Sequence, residues 1–302
     1  MISSLLGTVS STAFSYNLLS DFQNMWQYGF IRNAFEAGTI IAIVAGVVGY
    51  FVVIRRLSFA AHALSHAGFA GAAGAVLLGL NPLFGLMAFT TAGGLAMAAL
   101  GRKAAARDAQ VGIVLAFMLG LGVLFISLYK GYATEAYSLL FGEILGISSA
   151  DVLVTLIIGI VVLLVMTIIY RPLLFSSLDE DVAEARGVPV LGLGFLFMII
   201  IAVTTSIAVQ VVGVLLIFAL MVTPAAIAEK LVRRPARGMA IAVGMALVTT
   251  WAGLFISFYQ PYPVSFFITA IVFVGYLLTR VGRLFRFHRS VSSTTVELLD
   301  EA

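Results

Sequence analysis

Nine runs of almost unbroken apolar residues, each about 20 long, divide this 302-residue chain, and about 20 apolar residues is what a helix needs to cross a bilayer. They are Ala37–Ile54, Phe59–Gly79, Leu83–Leu100, Ala109–Tyr129, Asp151–Tyr170, Val190–Val209, Val211–Glu229, Gly238–Phe258 and Pro263–Val281. Inside lipid every backbone N–H and C=O must find its partner within the protein, so only helices and closed barrels span. Barrel strands are shorter and alternate polar with apolar residues, which these runs do not. The expected fold is therefore all-α: a polytopic transmembrane helical bundle of about nine spans, eight to ten depending on where boundaries fall. With 62% hydrophobic and 10% charged residues, the chain falls far below the roughly 25% charge of a soluble domain. The sixth and seventh runs are nearly continuous and as one helix would rise about 60 Å, twice the membrane, so a turn is expected near Gln210–Gly213.

Charge orients the bundle. Lys and Arg fall at 55 and 56; 102, 103 and 107; 171 and 186; 230, 233, 234 and 237; and 280, 283, 286 and 289, leaving only Arg32 and Lys130 elsewhere. With nine spans all five clusters share one side, which the positive-inside rule makes cytoplasmic. The amino terminus then lies outside and the carboxy terminus inside. The basic balance is explained by topology and requires no nucleic-acid partner. The expected organisation is an extracytoplasmic or interfacial segment over 1–36, a membrane-spanning domain over 37–283 and a polar cytoplasmic tail over 284–302. Within the first segment Phe22, Met25, Trp26, Phe30 and Phe35 give an amphipathic pattern suited to an interface.

Two connections stand apart from the spans. Gly131–Ala150 is moderately apolar and carries Glu135 and Glu143, with Asp151 just beyond; it is expected outside, either as a surface loop or as a short helix dipping into the bundle. Arg171–Pro189 is the longest cytoplasmic connection and reads as an amphipathic helix. Ser176 or Ser177 is expected to cap it, Asp179, Glu180 and Asp181 favour its positive dipole end, and Gly187 and Pro189 stop it. Such a helix suits docking to a soluble partner, or is a surface helix that binds nothing. The chain has no cysteine, which excludes disulfide and thiolate chemistry. It also lacks a Walker-type phosphate loop, a metalloprotease zinc signature and a serine elbow, so nucleotide-driven transport would need an ATPase on another chain.

His62 and His66 lie four residues apart in the second run, hence on one helical face a turn apart. Ionisable groups in a bilayer are costly and point to function. His66 is about nine residues past Leu57, roughly 14 Å along the helix and near mid-membrane, where carriers place their sites. Ala70 and Gly74 continue the same face and are expected to leave room for an ion and for close helix approach. A purely structural role, hydrogen bonding to neighbouring helices, is the alternative. Pro224 is expected to kink the seventh span.

Four stretches, RRLSFAAHALSHAGFAG (55–71), SLLFGEILG (138–146), RPLLFSSLDEDVAEARGVPV (171–190) and VQVVGVLLIFALMVTPAAIA (209–228), occur in order. In these the chain resembles the transmembrane permeases of bacterial metal-ion ABC importers, which take up zinc, manganese or iron. The resemblance spans about residues 37–281. It implies a type II ABC-importer-like bundle in the bacterial plasma membrane and a dimer, expected to be of identical chains, with the metal path at the subunit interface. It also implies cytoplasmic ATP-binding subunits and an extracytoplasmic metal-binding protein. By the same resemblance, Leu178, Asp179, Glu180, Asp181, Val182, Ala183, Glu184, Ala185, Arg186 and Gly187 form the segment that enters the ATPase, and His62 and His66 meet the metal. The family usually has an aspartate where this chain has His62, which replaces a carboxylate with a neutral nitrogen donor.

Two imidazoles do not complete a metal's shell. Water, the second permease chain, Glu143, Gln210, Thr204 and Thr205 are candidates for the remaining positions, with Glu135 and Asp151 at the extracellular mouth. No permanently bound cofactor is expected; the metal is cargo, and the chain itself is not an enzyme. Nitrogen-rich ligation favours zinc over manganese, with a manganese, iron or metal-chelate permease as the alternative. An intramembrane metalloenzyme and a receptor or structural subunit are the rival classes.

Overall fold

The computed structural model describes residues 23, 25–100, 104–128, 142, 144–232, 234–260 and 262–281. Among them no strand occurs, and the long elements are α1 (Gly29–Ile54), α2 (Ser58–Leu77), α3 (Pro82–Leu100), α4 (Ala104–Leu128), α5 (Ser149–Leu178), α7 (Val190–Val212), α8 (Val214–Leu231), α9 (Pro235–Tyr259) and α10 (Val264–Val281), with a six-residue α6 (Glu180–Ala185) after α5. All nine apolar runs are helices. Eight of the long helices are apolar enough to cross a membrane; α2 is the exception, because it spends positions on His62, His66, Ser58 and Ser65. It compensates by position: between Ala60 and Ala75 every residue except the two histidines is buried.

Small residues explain how α2 reaches the middle. It packs most extensively on α3 and α4, and also meets α7 and α8, while α1 packs on α9, α8 and α5. At the α2–α3 crossing, Gly71 and Gly85 bring the two backbones together, and a Cβ on either would land on the other's carbonyl oxygen. Gly49 does the same for α1 against the backbone of Met221 on α8. Without a hydrophobic drive between helices in lipid, such close backbone approach is what dispersion packing needs.

The turn between the sixth and seventh runs falls at Gly213, which ends α7 and begins α8 at φ 84° and ψ 164°. A Cβ at this φ is strained, so glycine fits the junction. Gly142, from the second of the four motifs, packs its Cα against the backbone at Val212 and Gly213. Two distant motifs therefore meet at this junction.

Several expectations are revised. α1 begins at Gly29, well before Ala37, because Ile31, Ala34 and Phe35 are already buried, with Phe35 edge-on to Trp251 of α9. α5 runs through Pro172 to Leu178, so Ser176 and Ser177 belong to its last turn and do not cap the next helix. Their hydroxyls donate back to the Leu173 carbonyl, and the cap of α6 is Asp179, whose Oδ1 accepts from Val182 N–H at 3.0 Å. Asp179 succeeds because its extended backbone (φ −153°, ψ 109°) breaks the helix and turns the carboxylate onto the free amide. α6 ends at Ala185, with Gly187 at φ 79° just beyond. Ala70 and Gly74 leave no room for an ion: a Cβ at Gly74 would lie 3.0 Å from the ring of Phe125, and Gly122 packs against Phe69 and Ala70. The space went to α4. Of the residues expected to form an interfacial amphipathic segment, Met25 and Phe35 are buried while Trp26 and Phe30 are exposed; Phe22, most of the loop carrying Glu135 and Glu143, and the tail from 284 lie outside the described residues.

Candidate functional site: a histidine pair on a buried helix

The i, i+4 spacing places the imidazoles of His62 and His66 on successive turns, with ring centroids 4.7 Å apart and planes at 86°. Metal–imidazole bonds of about 2.0–2.1 Å require donor nitrogens roughly 3–4 Å apart, a separation compatible with these rings. Both histidines are half-buried on a helix whose other inward positions are fully covered. Between Ala60 and Ala75 they are the one part of α2 that this chain's own packing leaves accessible. Phe218 of α8 stands edge-on to His62, centroids 4.8 Å apart. Beside it on α8, Leu215, Ala219, Val222 and Ala226 share the accessible side of that helix.

His62 Nδ1 is enclosed without a hydrogen-bond partner. A buried polar atom left unmatched costs about 1–3 kcal/mol, and Thr204, Thr205, Thr250 and Gln110 Oε1 are in the same state. Among the described residues no group of three His, Asp or Glu side chains is arranged to hold a metal.

The other sequence-predicted residues fall into separate places. Thr204 and Thr205 lie fully buried in α7 with unpartnered hydroxyls, and no hydrogen bond joins them to either histidine. Their neighbour Ser206 bonds Thr90 of α3 at 2.7 Å. Gln210 and Asp151 come together at the far end of the bundle, Gln210 Nε2 donating to Asp151 Oδ1 at 3.1 Å. Asp151 also closes a capping box with Ser148, whose hydroxyl donates to Oδ2 at 2.6 Å, and so starts α5. Asn33 of α1 joins this end by donating to the Ile147 carbonyl at 3.0 Å. Glu135 and Glu143 lie outside the described residues.

At the opposite end, Leu178 and Val182 are exposed (72% and 45%) while Ala183 anchors α6 inward. A cavity of about 300 Å³ separates α6 from the first turn of α2, its wall including Arg55, Ala60, Glu180, Glu184 and Met198. Sequence reasoning missed Phe218 and gave Arg55 no role beyond topology and its place in the histidine motif. That place, as the first residue of the motif, was the available signal; Phe218 had none, since only tertiary contact selects it.

A family model for the ABC 3 transport family matches residues 27–282. The chain is 33% identical over 237 residues to the manganese transport system membrane protein MntC of Listeria innocua, covering 78% of this chain and 84% of that protein. It is 33% identical over 233 residues to the manganese import system permease protein ScaB of Streptococcus parasanguinis, covering 77% and 83%. The solved structure of PsaBC from Streptococcus pneumoniae in complex with Fab superposes with a TM-score of 0.78 at 29% identity, over 87% of this chain and 95% of that one. The family match over most of the chain and the eight apolar helices long enough to span a membrane among the described residues agree: this is a multi-pass membrane protein belonging to the ABC 3 transport family.

Proposed function

We propose that the chain is the permease subunit of an ATP-driven importer for a divalent transition-metal ion. The observation that carries this is the histidine pair: the only side chains from Ala60 to Ala75 of α2 that are not buried, 4.7 Å apart, with one ring nitrogen unpartnered. The accessible face of the pair, beside Phe218 of α8, suits completion of the path by a second copy of the chain. Positive-inside orientation places the Arg55 end in the cytoplasm. There α6, with the exposed Leu178 and Val182, would engage a separate ATP-binding subunit, and an extracytoplasmic metal-binding protein would deliver cargo at the Asp151–Gln210 end. ATP hydrolysis belongs to the partner.

Manganese is the cargo that the names of the relatives support. Zinc is the second reading, supported by the pair of imidazoles, which has no clustered carboxylate among the described residues and so suits zinc better than oxygen-preferring manganese. Ion-by-ion uptake by the complex reconstituted with its own ATPase and binding protein tests both. The expected result is ATP-dependent accumulation of manganese; preferential accumulation of zinc would establish the second reading. A complex that accumulates no divalent metal, free or chelated, contradicts the proposal.

A further inference from the structure

We propose that Arg55 is the positioning residue through which movement of α6 reaches the histidine helix; this rests on the reading of the chain as an ATP-driven permease. The Arg55 side chain is only 8% exposed. Its Nη1 donates to Ser176 Oγ at 2.9 Å and to Ser177 Oγ at 3.3 Å, both in the last turn of α5. Its Nη2 lies 3.7 Å from Oε1 of Glu180, the first residue of α6. The guanidinium also sits 5.9 Å from the ring centroid of Phe197 on α7. One cation thus contacts the last turn of α5, the first residue of α6 and a ring of α7. An ion pair with an exposed Glu180 alone would be weak. The hydroxyl bonds are charge-assisted, however, and join an enclosed cation to the last turn of α5, so Arg55 and these partners move together.

The backbone at Arg55 is stiff. Arg55 N–H bonds Phe51 O, Arg56 N–H bonds Val53 O and Leu57 N–H bonds Val52 O, with Arg56 in the left-handed region at φ 55°. This is a Schellman-type close. Leu57 O then accepts the first hydrogen bond of α2 from Ala61 N–H at 2.9 Å. No slack residue lies between the guanidinium's own backbone and α2, and His62 is about 7.5 Å further along the helix. Across the cavity between α6 and the first turn of α2, Arg55 supplies the polar connection. A displacement of α6 is therefore delivered to the amino end of the histidine helix.

The chain's lack of cysteine makes a direct test simple. In the reconstituted complex, Ala60→Cys puts one thiol of this chain at the cavity wall, and its reaction rate with a small charged thiol reagent is compared in the nucleotide-free and ATP–vanadate states. The rate should change with nucleotide in the parent, and Arg55→Gln should abolish that change. Metal taken up per ATP hydrolysed should fall about tenfold, within the span of measured couplings, while ATP hydrolysis itself persists. Arg55→Lys, which keeps the charge but not the fork, should fall between. Retained nucleotide dependence with parental uptake per ATP overturns the proposal, as does a parallel fall of hydrolysis and uptake, the mark of a merely structural arginine. Should Arg55→Gln not assemble, Ser176→Ala with Ser177→Ala carries the test: a drop in uptake per ATP supports the link, and an unchanged ratio overturns it. If the parent moves no metal, the functional reading fails, yet the thiol assay, which needs no cargo, still decides this one.

Discussion

Replacing His66 with Ala removes metal uptake while the permease still inserts and assembles. The mutation deletes one of two imidazoles whose ring centroids lie 4.7 Å apart and leaves His62 without its partner. Loss of mere outer-shell partners lowers metal affinity about 10- to 100-fold, so losing a direct donor should cost at least that much. Stability should change little, because His66 is half-buried and makes no hydrogen bond that the bundle depends on. The check is initial-rate uptake of manganese and zinc by vesicles holding matched amounts of parent and variant complex. Parental rates in the variant would remove the histidine pair from the path.

Gly71→Ala, by contrast, should damage the bundle itself. Its new methyl would meet the Gly85 carbonyl oxygen and the Cβ of Phe89, rigid groups of α3 that cannot rotate away. Overpacking of this kind costs about 1–3 kcal/mol, more when backbone must shift. The expected outcome is a clearly lowered thermal midpoint in detergent and a loss of uptake, since separating α2 from α3 displaces the histidine face. Gly112→Ala serves as the control: a Cβ there meets nothing within 4 Å. Equal midpoints for the two variants would show that the α2–α3 crossing is looser than the structure places it.

Most of the bundle was legible because lipid imposes a strong, local signal. A run of about 20 apolar residues is sufficient to mark a span, and the length of the fused sixth and seventh runs alone demanded the turn that Gly213 makes. The i, i+4 rule likewise placed His62 and His66 on one face. What sits across from that face was not legible. Phe218 on His62, Phe125 at Gly74 and the serines on Arg55 are long-range meetings set by helix rotation and tilt, which hydropathy does not encode. The misplaced cap of α6 has a local cause: serines and an aspartate all favour an N-cap, and only the extended backbone at Asp179 selects among them.

The central claim is that cargo meets His62 and His66 on its way through the membrane. Anomalous scattering at the manganese or zinc edge, from crystals of the complex loaded with that ion, tests it most directly. The account predicts a peak about 2.0–2.2 Å from an imidazole nitrogen of each histidine. A peak elsewhere in the membrane, with both rings left unligated, would contradict it.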